Sequence, residues 1–225
     1  MAEVKEQRFF DRYDTIAIVV PGASLLLGLW HFFPNLFGGV EIKEFSLGGF
    51  GVLAVAAFCV GHILQAPANV VADFGWNRFG RPTEKLALAG GGFTADQVEK
   101  IRNKISSCLD VGPPPSGDRR AWRSIVGQVA VLVSNDGKTD RLEKFNGNYG
   151  LFRGLTAALT ILAVVAITQR AWVEVGVLTP LAWATRFRMK RFGIYYAREL
   201  WLQFLTLADD AGAESENRSA QRATR

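Results

Sequence analysis

The 225 residues are 49% hydrophobic, 12% aromatic and 21% charged, with a formal net charge of +5. Those averages would suit one or two soluble domains, but the placement of the charges does not. No Asp, Glu, Lys or Arg occurs between Asp14 and Glu41, or between Glu44 and Asp73, and each gap exceeds the ~20 apolar residues that span a bilayer. A disordered chain and a disulfide-rich secreted mini-protein are excluded, and a wholly soluble fold is not expected.

The first predicted span runs from Thr15 to Phe33, with Pro21-Gly22 inside it and Trp30 placed for the aromatic belt at a headgroup boundary. Proline is tolerated in a membrane helix because neighbouring helices can satisfy the carbonyl it frees. A cleaved signal peptide is the competing reading. It fails on the length of the apolar run, on the mixed charge of the preceding residues and on the lack of a small-residue cleavage site. A second span covers Ser46 to Ala66 and a third Leu151 to Thr168. The fourth, Ala171 to Thr185, is the weakest: it contains Glu174 and Pro180 and at 1.5 Å per residue reaches only about 22 Å.

Charge placement decides for the fourth span. With four crossings and the N-terminus inside, only Lys43 and Arg170 of the 26 basic residues lie outside. With three crossings, eight more from the C-terminal region join them, against the positive-inside rule. The sequence therefore predicts an all-α polytopic membrane protein with four transmembrane helices. Both termini are cytoplasmic, and a cytoplasmic helical insertion separates the second and third spans.

Within the insertion, Thr94 and Gln97 form a capping box, Phe93 and Val98 a hydrophobic staple, and Val98, Ile101, Ile105 and Cys108 or Leu109 one apolar face. A second helix starts at Asp118 and breaks at Asn135-Asp136-Gly137. A third starts near Thr139, carries Leu142, Phe145, Tyr149 and Phe152 as a stripe, and should run without a break into the third span. The segment after Thr185 is amphipathic, with Phe192, Tyr195, Leu200, Trp201 and Phe204 on its apolar side. It is expected in the membrane interface or packed under the bundle. The predicted organisation is 1–66 (N-terminal segment and first hairpin), 67–148 (insertion), 149–185 (second hairpin), 186–208 (amphipathic helix) and 209–225 (disordered tail).

Several residues are candidates for function. His62, Gln65 and Asn69 share one face of the second span, as a polar gate or pore lining or as inter-helical hydrogen-bonding groups. Gly150, Gly154 and Ala158 form a small-residue stripe suited to close helix packing, within the chain or between copies. Ala54, Ala57 and Gly61 form a similar face, expected to pack within the chain. Arg153 is placed to snorkel to the headgroups or to hold an anionic ligand. The juxtamembrane cluster Arg186, Arg188, Lys190 and Arg191 suits anionic lipid as well as topology determination. Gly90-Gly91-Gly92 reads as a flexible joint. Cys59 and Cys108 should not pair, two histidines cannot complete a spaced zinc set, and no catalytic motif is present. Neither a metal nor a cofactor is expected, and the basic residues carry no recognised nucleic-acid module.

The stretches GHILQAPAN (61–69), FNGNYGLFRGL (145–155) and RMKRFGIYYAREL (188–200) resemble those of small four-span bacterial membrane proteins. Some proteins of that build are effectors in anti-phage defence, in cyclic-nucleotide and Kiwa-type systems. The resemblance implies a non-enzymatic inner-membrane protein that forms homo-oligomers and perturbs the membrane when a cytosolic partner, met through residues 67–148, or a ligand triggers it. A small channel or transport subunit is the alternative expectation.

Overall fold

The computed structural model describes residues 12–37, 47–79, 81–89, 92–115, 117–136 and 140–207. The Ser46 start of the second span, Gly90-Gly91, Gly137, Thr139 and the tail from 209 onward lie outside the described residues. Those described form seven α-helices and no strand: α1 (Arg12–Phe32), α2 (Leu47–Phe79), α3 (Pro82–Ala89), α4 (Ala95–Leu109), α5 (Arg119–Asn135), α6 (Asp140–Thr168) and α7 (Trp172–Thr206). A short 3-10 helix, Pro34–Phe37, follows α1. Three helices, α1, α2 and α6, are long and apolar enough to cross a membrane.

Two helices carry a proline inside them and run on past the apolar residues. Pro67 does not end α2, which continues to Phe79, more than one turn past the apolar stretch that closes at Phe74. Pro180 likewise lies inside α7, which runs for 35 residues. The short reach predicted for the fourth span therefore reflects where the apolar residues stop, not where the helix stops. As expected, α6 is a single helix from Asp140 through the third span.

The chain divides into two compact units, Met1–Arg78 with Glu143–Gly193, and Phe79–Leu142 with Ile194–Arg225. The boundaries at 67, 149 and 186 drawn from composition thus differ from those of packing, because α2, α6 and α7 each contribute residues to both units.

In the first unit, α1 packs closely on both α2 and α6. A β-carbon on Gly22 would overlap the Ala57 carbonyl oxygen of α2, and one on Gly61 would overlap the Ile18 carbonyl oxygen of α1. On α6, a β-carbon at Gly154 would come within 2.7 Å of Pro21. Small residues are what allow these backbones to approach. The enclosed side chains include Leu25, Leu64, Ala68, Ala157, Ala158 and Leu162. Large apolar side chains point outward instead: only 17% of the apolar stretch of α2 is buried, and Val52, Ile63 and Phe74 are exposed.

The second unit has the opposite arrangement. Ile101 and Ile105 of α4, Trp122 and Val129 of α5, and Leu200, Trp201 and Phe204 of α7 form one buried core with Leu86 and Ala87 of α3. The Trp201 indole donates to the Thr83 carbonyl at 2.9 Å, and the Trp122 indole to the Pro115 carbonyl at 3.3 Å. The capping box is formed on both sides: Thr94 Oγ1 accepts from the Gln97 amide, and Gln97 Oε1 accepts from the Thr94 amide. Asp118 caps α5 by accepting from the Ala121 amide at 3.0 Å.

The sequence reading did not include α3. Its signals are Pro82 at the first helical position and Glu84 in the first turn, both favourable at a helix N-terminus. The reading also missed Lys104. This lysine is buried, and its amine donates to the Leu207 carbonyl and, at 3.4 Å, to the Leu205 carbonyl. A cation there satisfies carbonyls that the end of α7 leaves unpaired. Cys108, offered for the apolar face of α4, is exposed. Burial pushes the Tyr196 phenol above its ordinary value.

Candidate polar cluster on the apolar helices

The three stretches singled out in the sequence meet within the first unit. Arg153 of α6 donates from Nη2 to Gln65 Oε1 of α2, and its guanidinium lies 5.6 Å from the Tyr149 ring centroid. The Tyr149 hydroxyl accepts from the Trp76 indole of α2 at 3.1 Å. One turn along α6, Phe152 stacks on Phe192 of α7, with ring centroids 5.5 Å apart and an interplanar angle of 9°. The Arg188 guanidinium covers this pair at 5.7 and 5.8 Å. A β-carbon on Gly193 would lie 3.1 Å from Trp76 and 3.5 Å from Tyr149, so a larger residue there would press on both rings.

Helical spacing brings this about. Tyr149, Phe152 and Arg153 lie within about one turn of α6, and Gln65 and Trp76 are 11 residues apart on α2, three turns to within about 20°. Arg153 therefore does more than reach outward. Part of its guanidinium is held by an amide and a ring, and Nε is buried without a hydrogen-bond partner. A cation in such surroundings is costly unless paired and hydrogen-bonded. Among the described residues it makes no ion pair with a carboxylate.

The other predicted residues are placed differently. His62 and Asn69 share the helix with Gln65 but are exposed, and the His62 ring packs edge-on against Phe58 at 4.5 Å. Gly150 and Gly154 face Ala17 and Pro21 of α1, and Ala158 is fully buried, so this stripe packs within the chain. On α2, Ala57 is buried and Gly61 meets α1, whereas Ala54 is exposed. Lys190 is half-buried and Arg191 exposed. Arg186 borders an apolar groove between α2, α6 and α7. Near the start of α7, Glu174 lies 3.6 Å from His31 Nε2 at the end of α1.

Sequence reasoning had no means of pairing Gln65 with Arg153. Each was visible as a polar residue in an apolar run, but their meeting depends on how α2 and α6 are rotated. Among the described residues, no group of three or more His, Cys, Asp or Glu is placed to hold a metal ion, and both cysteines are free. No protein-family profile, curated protein or solved structure matches this chain.

Proposed function

We propose that this chain is a non-enzymatic, multi-pass protein of a bacterial inner membrane that couples a cytoplasmic signal or partner to a membrane response, as an anti-phage defence effector does. In this reading α7 supplies a fourth crossing, both termini face the cytoplasm, and residues of the second unit receive the signal. One observation carries it. Helices α6 and α7 each run without a break from apolar residues of the first unit into core residues of the second. A continuous helix transmits a rotation or shift along its length: α6 carries no proline, and in α7 Pro180 lies more than three turns before the unit boundary at Gly193. The fourth crossing draws support from the outward apolar side chains of α7, with Val173 80% and Trp183 72% exposed.

Assembly of several copies belongs to this reading, although the α6 stripe is already occupied by α1. The remaining face is on α2, where Gly51, Ala54, His62 and Asn69 fall on one side and are exposed. A polar group within lipid normally faces a protein interior or water, so a second copy covering His62 removes that cost. The same exposure favours a second reading, a small channel or transport subunit whose copies surround a polar path.

The coupling is tested by inducing expression in a bacterial host and following membrane potential with a voltage-sensitive dye. Depolarisation is expected, together with its loss in Asn146→Pro, whose ring clashes with the Leu142 carbonyl and breaks α6 just past the unit boundary while leaving the spans apolar. Depolarisation that persists in Asn146→Pro, or its absence from the parent chain, overturns the coupling. Ion flux in liposomes that vanishes with His62→Leu selects the channel reading.

A further inference from the structure

We infer that the groove between α2, α6 and α7 is a binding site for one anionic phospholipid, with the upper acyl chain in the groove and the phosphate at Arg186. The groove encloses about 420 Å³, within the ~300–1,000 Å³ of small-molecule sites. Its walls come from Val70 and Phe74 of α2, Thr156 and Thr160 of α6, and Ala182 and Trp183 of α7. Each helix contributes about one turn, so the site suits the part of an acyl chain nearest the glycerol rather than a whole tail.

Two features identify the occupant. The threonine hydroxyls are already used: Thr156 Oγ1 donates to the Phe152 carbonyl and Thr160 Oγ1 to the Thr156 carbonyl, both at 2.7 Å. Neither hydroxyl has a proton left to offer, so these mainly apolar walls provide no free donor for a polar ligand. At its rim stands a single cation, Arg186, which makes no hydrogen bond or ion pair with any described residue. A guanidinium presents a planar fork that matches phosphate oxygens. An apolar slot with one unpaired guanidinium at its mouth is complementary to a lipid that carries a phosphate and no compensating cation. The exposed Trp183 indole beside it fits the headgroup boundary, where such rings gather.

This inference rests on the reading that α2, α6 and α7 lie in a membrane. The full-length protein is purified in mild detergent and mixed with equal amounts of phosphatidylglycerol and phosphatidylcholine. Retained lipid is then counted by native mass spectrometry. Phosphatidylglycerol is expected to be preferred, and Arg186→Gln should lower its retention about fivefold, as befits one surface charge. Ala182→Trp, which fills the slot and leaves the charge, should abolish it, whereas Arg191→Gln, outside the groove, should not. Equal retention of the two lipids overturns the site, as does an Arg186→Gln protein that elutes as a folded species and keeps its lipid. Carbonate extraction of cell membranes separates the failures. If the chain washes out, the membrane reading falls. If it stays embedded without lipid preference, only this site falls.

Discussion

The two units of this protein sort similar residues in opposite directions. In the first, the interior is built largely of small side chains with a few leucines, and many large apolar ones face outward: Ala57, Ala157 and Ala158 are sealed between helices, while Val52, Ile63 and Phe74 are exposed. In the second, Trp122, Ile101, Ile105, Trp201 and Phe204 are buried, while Lys100, Arg120 and Arg123 are exposed. Water drives large apolar groups inward by the hydrophobic effect. Lipid exerts no such drive, and helices there associate through close packing of small residues and through hydrogen bonds. The difference argues that the two units are built for different solvents, and it supports the membrane reading independently of hydropathy.

Four substitutions sharpen or break this comparison, each read by hydrogen exchange resolved along the chain in detergent. Trp201→Ala empties the centre of the second core and should cost about 3–5 kcal/mol. Protection is expected to fall across 95–135 and to remain across 47–74; loss in both would mean that the units do not differ in what holds them. Gly22→Leu pushes a side chain into the α2 backbone and should cost about 1–3 kcal/mol or more. It should loosen 47–74 and leave 95–135 protected, and an unchanged pattern there would show that the contact between α1 and α2 carries no stability.

Gln65→Leu removes the acceptor of the Arg153 guanidinium and should cost about 1–3 kcal/mol, the usual penalty for stranding a polar partner. The double change Gln65→Leu with Arg153→Met should recover most of it, since both partners are then apolar. Recovery is absent if Arg153 turns to the headgroups once released. Thr94→Ala opens the capping box of α4 and should cost about 1 kcal/mol, visible as fraying of 95–99 alone. A change spread through the second unit would make the cap part of its core rather than a local signal.

Much of the outline was legible without tertiary information. Asp14 to Glu41 and Glu44 to Asp73 bound two uncharged runs, and no ordinary core needs that much unrelieved apolar sequence. The cap at Thr94, the start at Asp118 and the unbroken course of α6 were readable because capping and helix continuity depend on residues within one or two turns. The full length of α2 was not legible: the predicted span stops at Ala66, whereas packing of Ala68 and Ala72 carries the helix past Pro67 to Phe79. Pro82–Ala89 escaped notice because eight residues are too few for a periodic pattern to emerge.

What the order of amino acids determined by itself, then, is where the chain is apolar enough for lipid and where its helices begin. Only the tertiary structure decided which faces meet: Gly154 on Pro21, Gln65 on Arg153, and Leu200, Trp201 and Phe204 with the core of α3, α4 and α5. The physical reason is one of range. Capping and hydropathy are satisfied by neighbours in sequence, but a helix apolar on every side has no preferred face. Its rotation is fixed only by the shape and the few polar groups of the helices beside it.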